Sequence, residues 1–264
     1  MQVQFILTGL LVGTLVGLTG MGGGSLMTPI LVLLLGIRPT VAVGTDLTYA
    51  SLTKLVGAIQ HFRQRQVRIS TGLWYAAGGV PATLLGVSAI HAMERAGGVN
   101  VDEFITHALA IMLIVVAVLL IVQPLIRKHL WPQHSPSVFY ARLRTMRRFR
   151  PPMLVAIGVV VGFLVGITSV GAGSLVMFSM LLLFPKWPMS QRVGTDVFQG
   201  FLLTSAAASA NLHFGTVNLP VVGMLLIGSL PGVLIGARLT KIIPEGVLRP
   251  LVAGALAVSG WRLL

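Results

Sequence analysis

Two short glycine-rich stretches hold the residues of this chain that could bind a small anion. The first stretch, residues 17–26, reads GLTGMGGGSL, and the second, residues 166–175, reads GITSVGAGSL. In each stretch the glycines permit a tight turn, and a serine stands where a new helix can begin. Free backbone N–H groups and the positive end of the helix dipole attract anions at such a start. These two stretches, the first tip and the second tip, therefore predict a site for a small oxyanion.

The predicted anion-binding residues come from both tips and from the helices that follow them. Threonine and serine hydroxyl groups supply hydrogen-bond donors, and glycines let an anion approach the backbone. The alternative is that the glycines only form turns and the serines only cap helices. The predicted set is Thr19, Gly22, Gly24 and Ser25 at the first tip, Thr168, Gly171, Gly173 and Ser174 at the second tip, and Thr45 and Thr195 beyond them.

Three ionisable residues lie inside apolar segments, where a charge is expensive and usually functional. Asp46 and Asp196 each follow a Gly-Thr pair at matching places in the two halves of the chain. This placement predicts two protonatable gates, one toward each face of a membrane. Lys54 has a threonine as its counterpart and could pair with an acid or attract an anion. The alternatives are interfacial caps for the aspartates and a snorkelling side chain for the lysine.

Two prolines at matching positions, Pro81 and Pro231, fall in the middle of apolar segments. Proline removes one hydrogen bond from a helix and kinks it. These positions predict either hinges or simple kinks.

Catalysis and metal binding are weaker interpretations of the same residues. A serine hydrolase could combine Ser174 or Ser25 with His213 or His61, through a hydrogen bond from serine to histidine. Because every component is duplicated and a reaction centre needs one copy, we do not expect an enzyme. The chain has no cysteine and no cluster of histidines and acids, so we expect neither a metal site nor a cofactor.

The composition places these residues in a membrane protein. Of 264 residues, 55% are hydrophobic and 9% are charged, whereas a soluble domain has about a quarter charged residues. Several apolar runs approach or exceed the roughly 18 residues that indicate a membrane span. The net charge of +13 indicates orientation in the membrane and not nucleic-acid binding, because no basic soluble domain is present. The N-terminal residues resemble a first helix and not a cleaved signal.

The apolar pattern predicts an all-α polytopic protein in which each half forms a glycine-broken helical hairpin and three transmembrane helices. The second arm of each hairpin is too short for a bilayer of ~30 Å, which suggests a re-entrant segment. The predicted division is residues 1–126 for the first repeat, 127–150 for a basic linker and 151–264 for the second repeat. The predicted helices are 3–19, 24–36, 40–61, 69–90 and 104–125 in the first repeat, and 152–168, 174–184, 190–212, 218–239 and 246–263 in the second.

Matching residues recur at nearly one spacing, which is the signature of an internal duplication. Glycines four residues apart inside these segments predict close helix packing. The matched sets are Gly44-Thr45-Asp46 with Gly194-Thr195-Asp196, Gly78, Pro81 and Gly86 with Gly228, Pro231 and Gly236, and Gly9, Gly13 and Gly17 with Gly158, Gly162 and Gly166.

The distribution of basic residues predicts that the two repeats are inverted. The linker at 127–150 holds seven basic residues and no acid, so it should be cytoplasmic. Counting spans outward from it places fifteen basic residues inside and three outside, with both termini outside. Each repeat then crosses the membrane an odd number of times, which gives the repeats opposite orientations.

The repeated motifs resemble those of the TauE/SafE family of membrane transporters. The resemblance rests on the doubled G-x-T-x-x-G-x-G-S stretches, the doubled Gly-Thr that precedes Asp46 and Asp196, and the doubled P-x-x-x-x-G. It covers about residues 5 to 263. The resemblance implies export of sulfite or organosulfur anions such as sulfoacetate across the bacterial inner membrane.

Together these observations predict a secondary transporter for small sulfur-containing anions that works by alternating access. The alternative is an anion channel or a carrier of other small carboxylate anions. The expected partners are a small anion and the lipid bilayer, without nucleic acid. The sequence leaves open proton or sodium coupling and a homodimer.

Overall fold

A computed structural model describes residues 2–19, 26–98, 100–130, 150–239 and 245–264. These residues form ten helices and no strand. Their bounds agree with the predicted helices to within three residues, except that the helices predicted at 69–90 and 104–125 end six and five residues later. The helices are α1 Gln2–Thr19, α2 Met27–Leu33, α3 Pro39–Arg63, α4 Ile69–Ala96, α5 Val101–Leu130, α6 Arg150–Thr168, α7 Ala172–Leu183, α8 Met189–Phe214, α9 Leu219–Leu239 and α10 Glu245–Leu263.

The second arm of the first hairpin, α2, has seven residues and is shorter than the predicted 24–36. The helix ends before Gly36, whose φ of 63° belongs to the left-handed region. Pro39 then occupies the first position of α3, where proline costs no hydrogen bond. Most of the linker predicted at 127–150 lies outside the described residues, and the division into repeats stays a prediction.

Four helices are long and apolar enough to cross a membrane: they cover Ile69–Ala96, Val101–Pro124, Pro151–Thr168 and Leu219–Gly236. Two shorter apolar helices, Gln2–Leu18 and Ala172–Leu183, accompany them. Large apolar side chains such as Leu85, Val160 and Leu234 are exposed on the outer faces. The chain is therefore a helical membrane protein with a lipid-facing surface.

The first helix of each half packs along the fourth helix of the other half. A Cβ atom on Gly13 of α1 would lie 2.5 Å from the carbonyl oxygen of Ser229 on α9. A Cβ atom on Gly86 of α4 would lie 2.7 Å from the carbonyl oxygen of Phe163 on α6. Only glycine lets these backbones come so close, which confirms the close packing predicted from the glycine spacing.

Adding one methyl group at this contact should destabilise the protein. The Gly13→Ala variant must separate α1 from α9, and overpacking of this kind costs about 1–3 kcal/mol. We expect a lower melting temperature in detergent. Gly254→Ala is the matched control, because no atom lies within 4 Å of a Cβ atom at that helical glycine. Equal melting temperatures for the two variants would contradict the close contact.

The two halves also share their apolar cores. One core joins Val12 and Tyr49 to Leu225, and the other joins Tyr75 to Val165 and Met180. Each core draws on helices from both halves, so neither half buries its apolar surface alone. The two halves therefore form one structural unit.

Helices α3 and α8, which hold equivalent places in the two halves, cross each other in opposite directions. A Cβ atom on Gly57 would lie 3.1 Å from Val197, and the Ser51 hydroxyl lies 2.9 Å from the Ser205 hydroxyl. The contacts of α3 and α8 therefore pair the end of one helix with the start of the other. This antiparallel crossing carries the buried ionisable residues of the candidate site.

Candidate functional site

The second tip is a tight, buried turn between α6 and α7. Ser169 and Gly171 have φ angles of 61° and 100°, so both lie in the left-handed region. The carbonyl oxygen of Gly171 accepts the N–H of Leu175 at 3.0 Å. The Thr168 hydroxyl accepts the N–H of Val170 at 3.2 Å and donates to the carbonyl oxygen of Leu164 at 2.7 Å. The turn is thus held by its own hydrogen bonds.

Ser174 does not occupy the capping position that its place in the motif suggested. Gly171 is the N-cap of α7, and Ser174 is the third residue of that helix. The left-handed φ at the cap explains the shift, because glycine reaches it without strain. The Ser174 Oγ atom is buried and has no hydrogen-bond partner among the described residues. A donor of this kind, near the start of a helix, is what a bound anion would need.

Asp46 lies at the second tip, although the two are 123 residues apart in the chain. The aspartate is fully buried, and its Oδ2 atom accepts the hydroxyl of Ser169 at 2.8 Å. The same oxygen accepts the hydroxyl of Thr28 on α2. The Oδ1 atom has no partner within the described part of the chain. An acid of one half therefore contacts the glycine-broken turn of the other half.

Asp196 is also buried, on α8, and its Oδ1 atom accepts the side-chain amide of Gln199 at 3.2 Å. The first tip, which would be the counterpart of the Asp46 contact, falls in the undescribed residues 20–25. The predicted site residues Gly22, Gly24 and Ser25 therefore lie outside the described residues. Thr19 ends α1, and its side chain is not among the described ones.

Lys54 is buried where α3 crosses α8, with 7% of its surface exposed. A Cβ atom on Gly200 would lie 2.8 Å from its Nζ atom, so the ammonium group occupies the space that the glycine leaves. Lys54 interacts electrostatically with both Asp196 and Asp46. This buried position disfavours snorkelling and places the ammonium group in the field of two acids.

Thr45 and Thr195 have equivalent contacts that fasten one half to the other. The Thr45 hydroxyl oxygen accepts the backbone N–H of Asn218 at 3.1 Å, just before α9. The Thr195 hydroxyl oxygen accepts the backbone N–H of Arg68 at 3.0 Å, just before α4. The repeated Gly-Thr pair thus holds the start of a helix from the opposite half. Substrate binding by these threonines stays a prediction.

The remaining predicted residues lie away from Asp46, Lys54 and the second tip, or within an unbroken helix. Pro81 and Pro231 are exposed within α4 and α9, and a hinge role for them stays a prediction. Gly173 lies in the first turn of α7. The His61 ring bonds to the side chain of Gln66 at 2.7 Å, and Ser174 has no hydrogen-bond partner among the described residues, so no hydrogen bond joins Ser174 to His61. No group of three metal-binding side chains occurs among the described residues.

Three residues of the site were missed by the sequence analysis: Thr28, Ser169 and Gln199. Ser169 belongs to the second tip, but the first tip has Gly20 at the same place. Because the two copies differ at this place, the sequence itself indicated a specific role for Ser169. Thr28 and Gln199 carry no such signal, since neither belongs to a repeated motif.

Comparison with known proteins agrees with this architecture. The family model described as "Sulfite exporter TauE/SafE" matches residues 5–263. The protein named "Probable membrane transporter protein YjnA" of Bacillus subtilis (strain 168) is 40% identical over 264 residues, which is 100% of both chains. "Probable membrane transporter protein YdhB" of the same organism is 25% identical over 98% of both chains. "Probable membrane transporter protein y4hK" of Sinorhizobium fredii (strain NBRC 101917 / NGR234) is 25% identical over 87% of this chain and 85% of its own. No solved structure matches.

The family match spans nearly the whole chain, and so does the similarity to YjnA. It includes both tips, both aspartates and the helices that bring them together. The protein therefore belongs to the sulfite exporter TauE/SafE family and is a multi-pass membrane transporter.

Proposed function

We propose that the protein exports small sulfur-containing anions, such as sulfite and sulfoacetate, across the bacterial inner membrane by proton-coupled alternating access. The observation that carries this proposal is the contact between Asp46 and the second tip. A buried acid that accepts a hydroxyl from this turn would link protonation to anion binding if the anion binds at the turn. The family description, which names sulfite, supplies the class of substrate.

The Asp46 carboxyl group occupies donors that an anion would otherwise use. When it is ionised, it accepts the Ser169 and Thr28 hydroxyls and repels an approaching anion. Protonation removes the repulsion and releases these hydroxyls to the anion. We assign Asp196 the corresponding gating role in the other half, where its carboxyl group accepts the side-chain amide of Gln199. The proton and the anion therefore reach the centre of the protein together.

Two inverted repeats provide the two access states. The directions in which the helices pack support this arrangement. Helices α3 and α8 are antiparallel, whereas α1 runs parallel to α9 and α6 runs parallel to α4. The charge-based topology has these same directions: α1 and α9 run inward, and α4 and α6 run outward. Rocking of one half against the other would then open the site to each side in turn.

Thiol labelling tests the inverted topology. Single cysteines at Gln66 and Tyr140 of this cysteine-free chain should resist an impermeant thiol reagent in intact cells, because both positions are predicted to be cytoplasmic. A cysteine at Thr216 should react. Permeabilised cells are the control, and all three positions should react there. Equal labelling of residues 66 and 216 in intact cells would contradict the inversion.

Counterflow in proteoliposomes tests the transport mechanism. Vesicles loaded with unlabelled sulfoacetate should accumulate external labelled sulfoacetate transiently, because a carrier exchanges its substrate across the membrane. Excess sulfite should compete with the label, whereas chloride should not. The alternative of a channel would give flux that neither saturates nor shows counterflow. Stronger competition by acetate than by sulfite would instead favour a carrier of carboxylates.

A further inference from the structure

Three buried ionisable residues lie along the crossing of α3 and α8. Lys54 and Asp46 lie on α3, and Asp196 lies on α8. Lys54 interacts electrostatically with both acids. The described part of the protein has two ion pairs in which the nitrogen and oxygen atoms lie within 4.0 Å of each other, and neither includes Lys54. The ammonium group therefore feels the field of two acids and forms an ion pair with neither.

Among the described residues, the other polar groups around this crossing do not supply a second central cation. Arg192 is buried near the start of α8 and donates to the carbonyl oxygen of Pro185. Arg38 pairs with Asp102 at the far end of α3. The further titratable neighbours are tyrosines: Tyr49 on α3 interacts with Asp46 and with Ser229 on α9, and Tyr75 on α4 interacts with Asp196 and with Ser179 on α7.

Burial constrains how many protons this group carries. A net charge in a buried site is strongly disfavoured, so two carboxyl groups and one ammonium group should hold one proton between the carboxyl groups. When an anion with one negative charge enters, neutrality requires a second proton on the remaining carboxylate. The ammonium group then faces the anion in place of the carboxylate.

We propose that Lys54 is the cation that binds the transported anion, and that an anion with one negative charge replaces an aspartate carboxylate as its counter-charge, with uptake of one proton by that carboxylate. This proposal rests on the proposed function and adds its charge-bearing residue and its stoichiometry. Gly200 leaves room for this cation, because a side chain at residue 200 would fill the space that the Lys54 ammonium group occupies.

Calorimetry with purified protein tests the stoichiometry. Methanesulfonate, which carries one negative charge, is titrated in two buffers of different ionisation enthalpy, and the difference in heat gives the protons taken up. We expect one proton for each methanesulfonate bound by the unmodified protein. Binding without proton uptake would overturn the proposal, and so would a lack of binding. The neutral analogue dimethyl sulfone should not bind.

Substitution of the lysine tests its identity as the anion ligand. Lys54→Met should lower the affinity for methanesulfonate about tenfold or more, the scale of losing a hydrogen bond to a charged group. Lys54→Arg should keep part of the affinity, and Thr204→Val, one turn from Gly200, should keep all of it. Wild-type affinity in a folded Lys54→Met variant would overturn the proposal even if counterflow is intact. Absence of counterflow in the unmodified protein would overturn the proposed function itself.

Discussion

Replacing either buried aspartate by asparagine should abolish the acceleration of anion flux by a proton gradient. Asparagine resembles the protonated acid in shape and cannot release a proton, so anion binding should persist. The remaining aspartate would exchange protons with one side only, and no proton would cross with the anion. The expected result holds separately for Asp46→Asn and Asp196→Asn.

The measurement is sulfoacetate flux into proteoliposomes with and without a pH gradient, at zero membrane potential. Glu103→Gln is the matched control, because Glu103 is an exposed acid at the start of α5. This control should respond to the gradient like the unmodified protein. If both aspartate variants keep the full response, the aspartates are structural and coupling lies in other residues.

Gly171→Val should abolish transport. The φ angle of 100° strains any residue with a side chain, and a Cβ atom would lie 2.9 Å from the Cε atom of Met112. The substitution would therefore move the start of α7 and the Ser169 hydroxyl that Asp46 accepts. We expect flux to fall to the level of empty liposomes while the protein still inserts in the membrane.

The matched control for this variant is Gly97→Val. Gly97 also has a left-handed φ, of 67°, but no atom lies within 4 Å of a Cβ atom there. It terminates α4, away from the second tip. This control carries the same kind of backbone strain and should keep most of the transport. Equal loss of transport in both variants would show that backbone strain alone is responsible, and not the second tip.

The helices could be predicted from sequence because a membrane demands long apolar runs, and their bounds are close to those expected. The length of α2 was wrong, because Gly36 ends the segment before the apolar run does. The family resemblance was confirmed by the match over residues 5–263. Periodicity and duplication thus define the elements of the fold.

The contacts between the halves could not be predicted in the same way. Asp46 and Ser169 meet because α3 of one half packs near the second tip of the other, and no local pattern encodes that distance. The hydroxyls of the Gly-Thr pairs, which were predicted to bind the anion, also hold the backbone of the opposite half, and their role in substrate binding stays a prediction. A motif that is repeated can therefore serve assembly as well as binding.

The location of a bound anion distinguishes binding at the second tip from binding elsewhere in the protein. Selenite, a heavy analogue of sulfite, can be soaked into crystals of the protein and located by the anomalous scattering of selenium. We expect a peak at the second tip, within hydrogen-bond distance of the Ser169 or Ser174 hydroxyl, and on the side that faces Lys54. A selenium peak in the protein interior away from both tips, with the second tip empty, would contradict it.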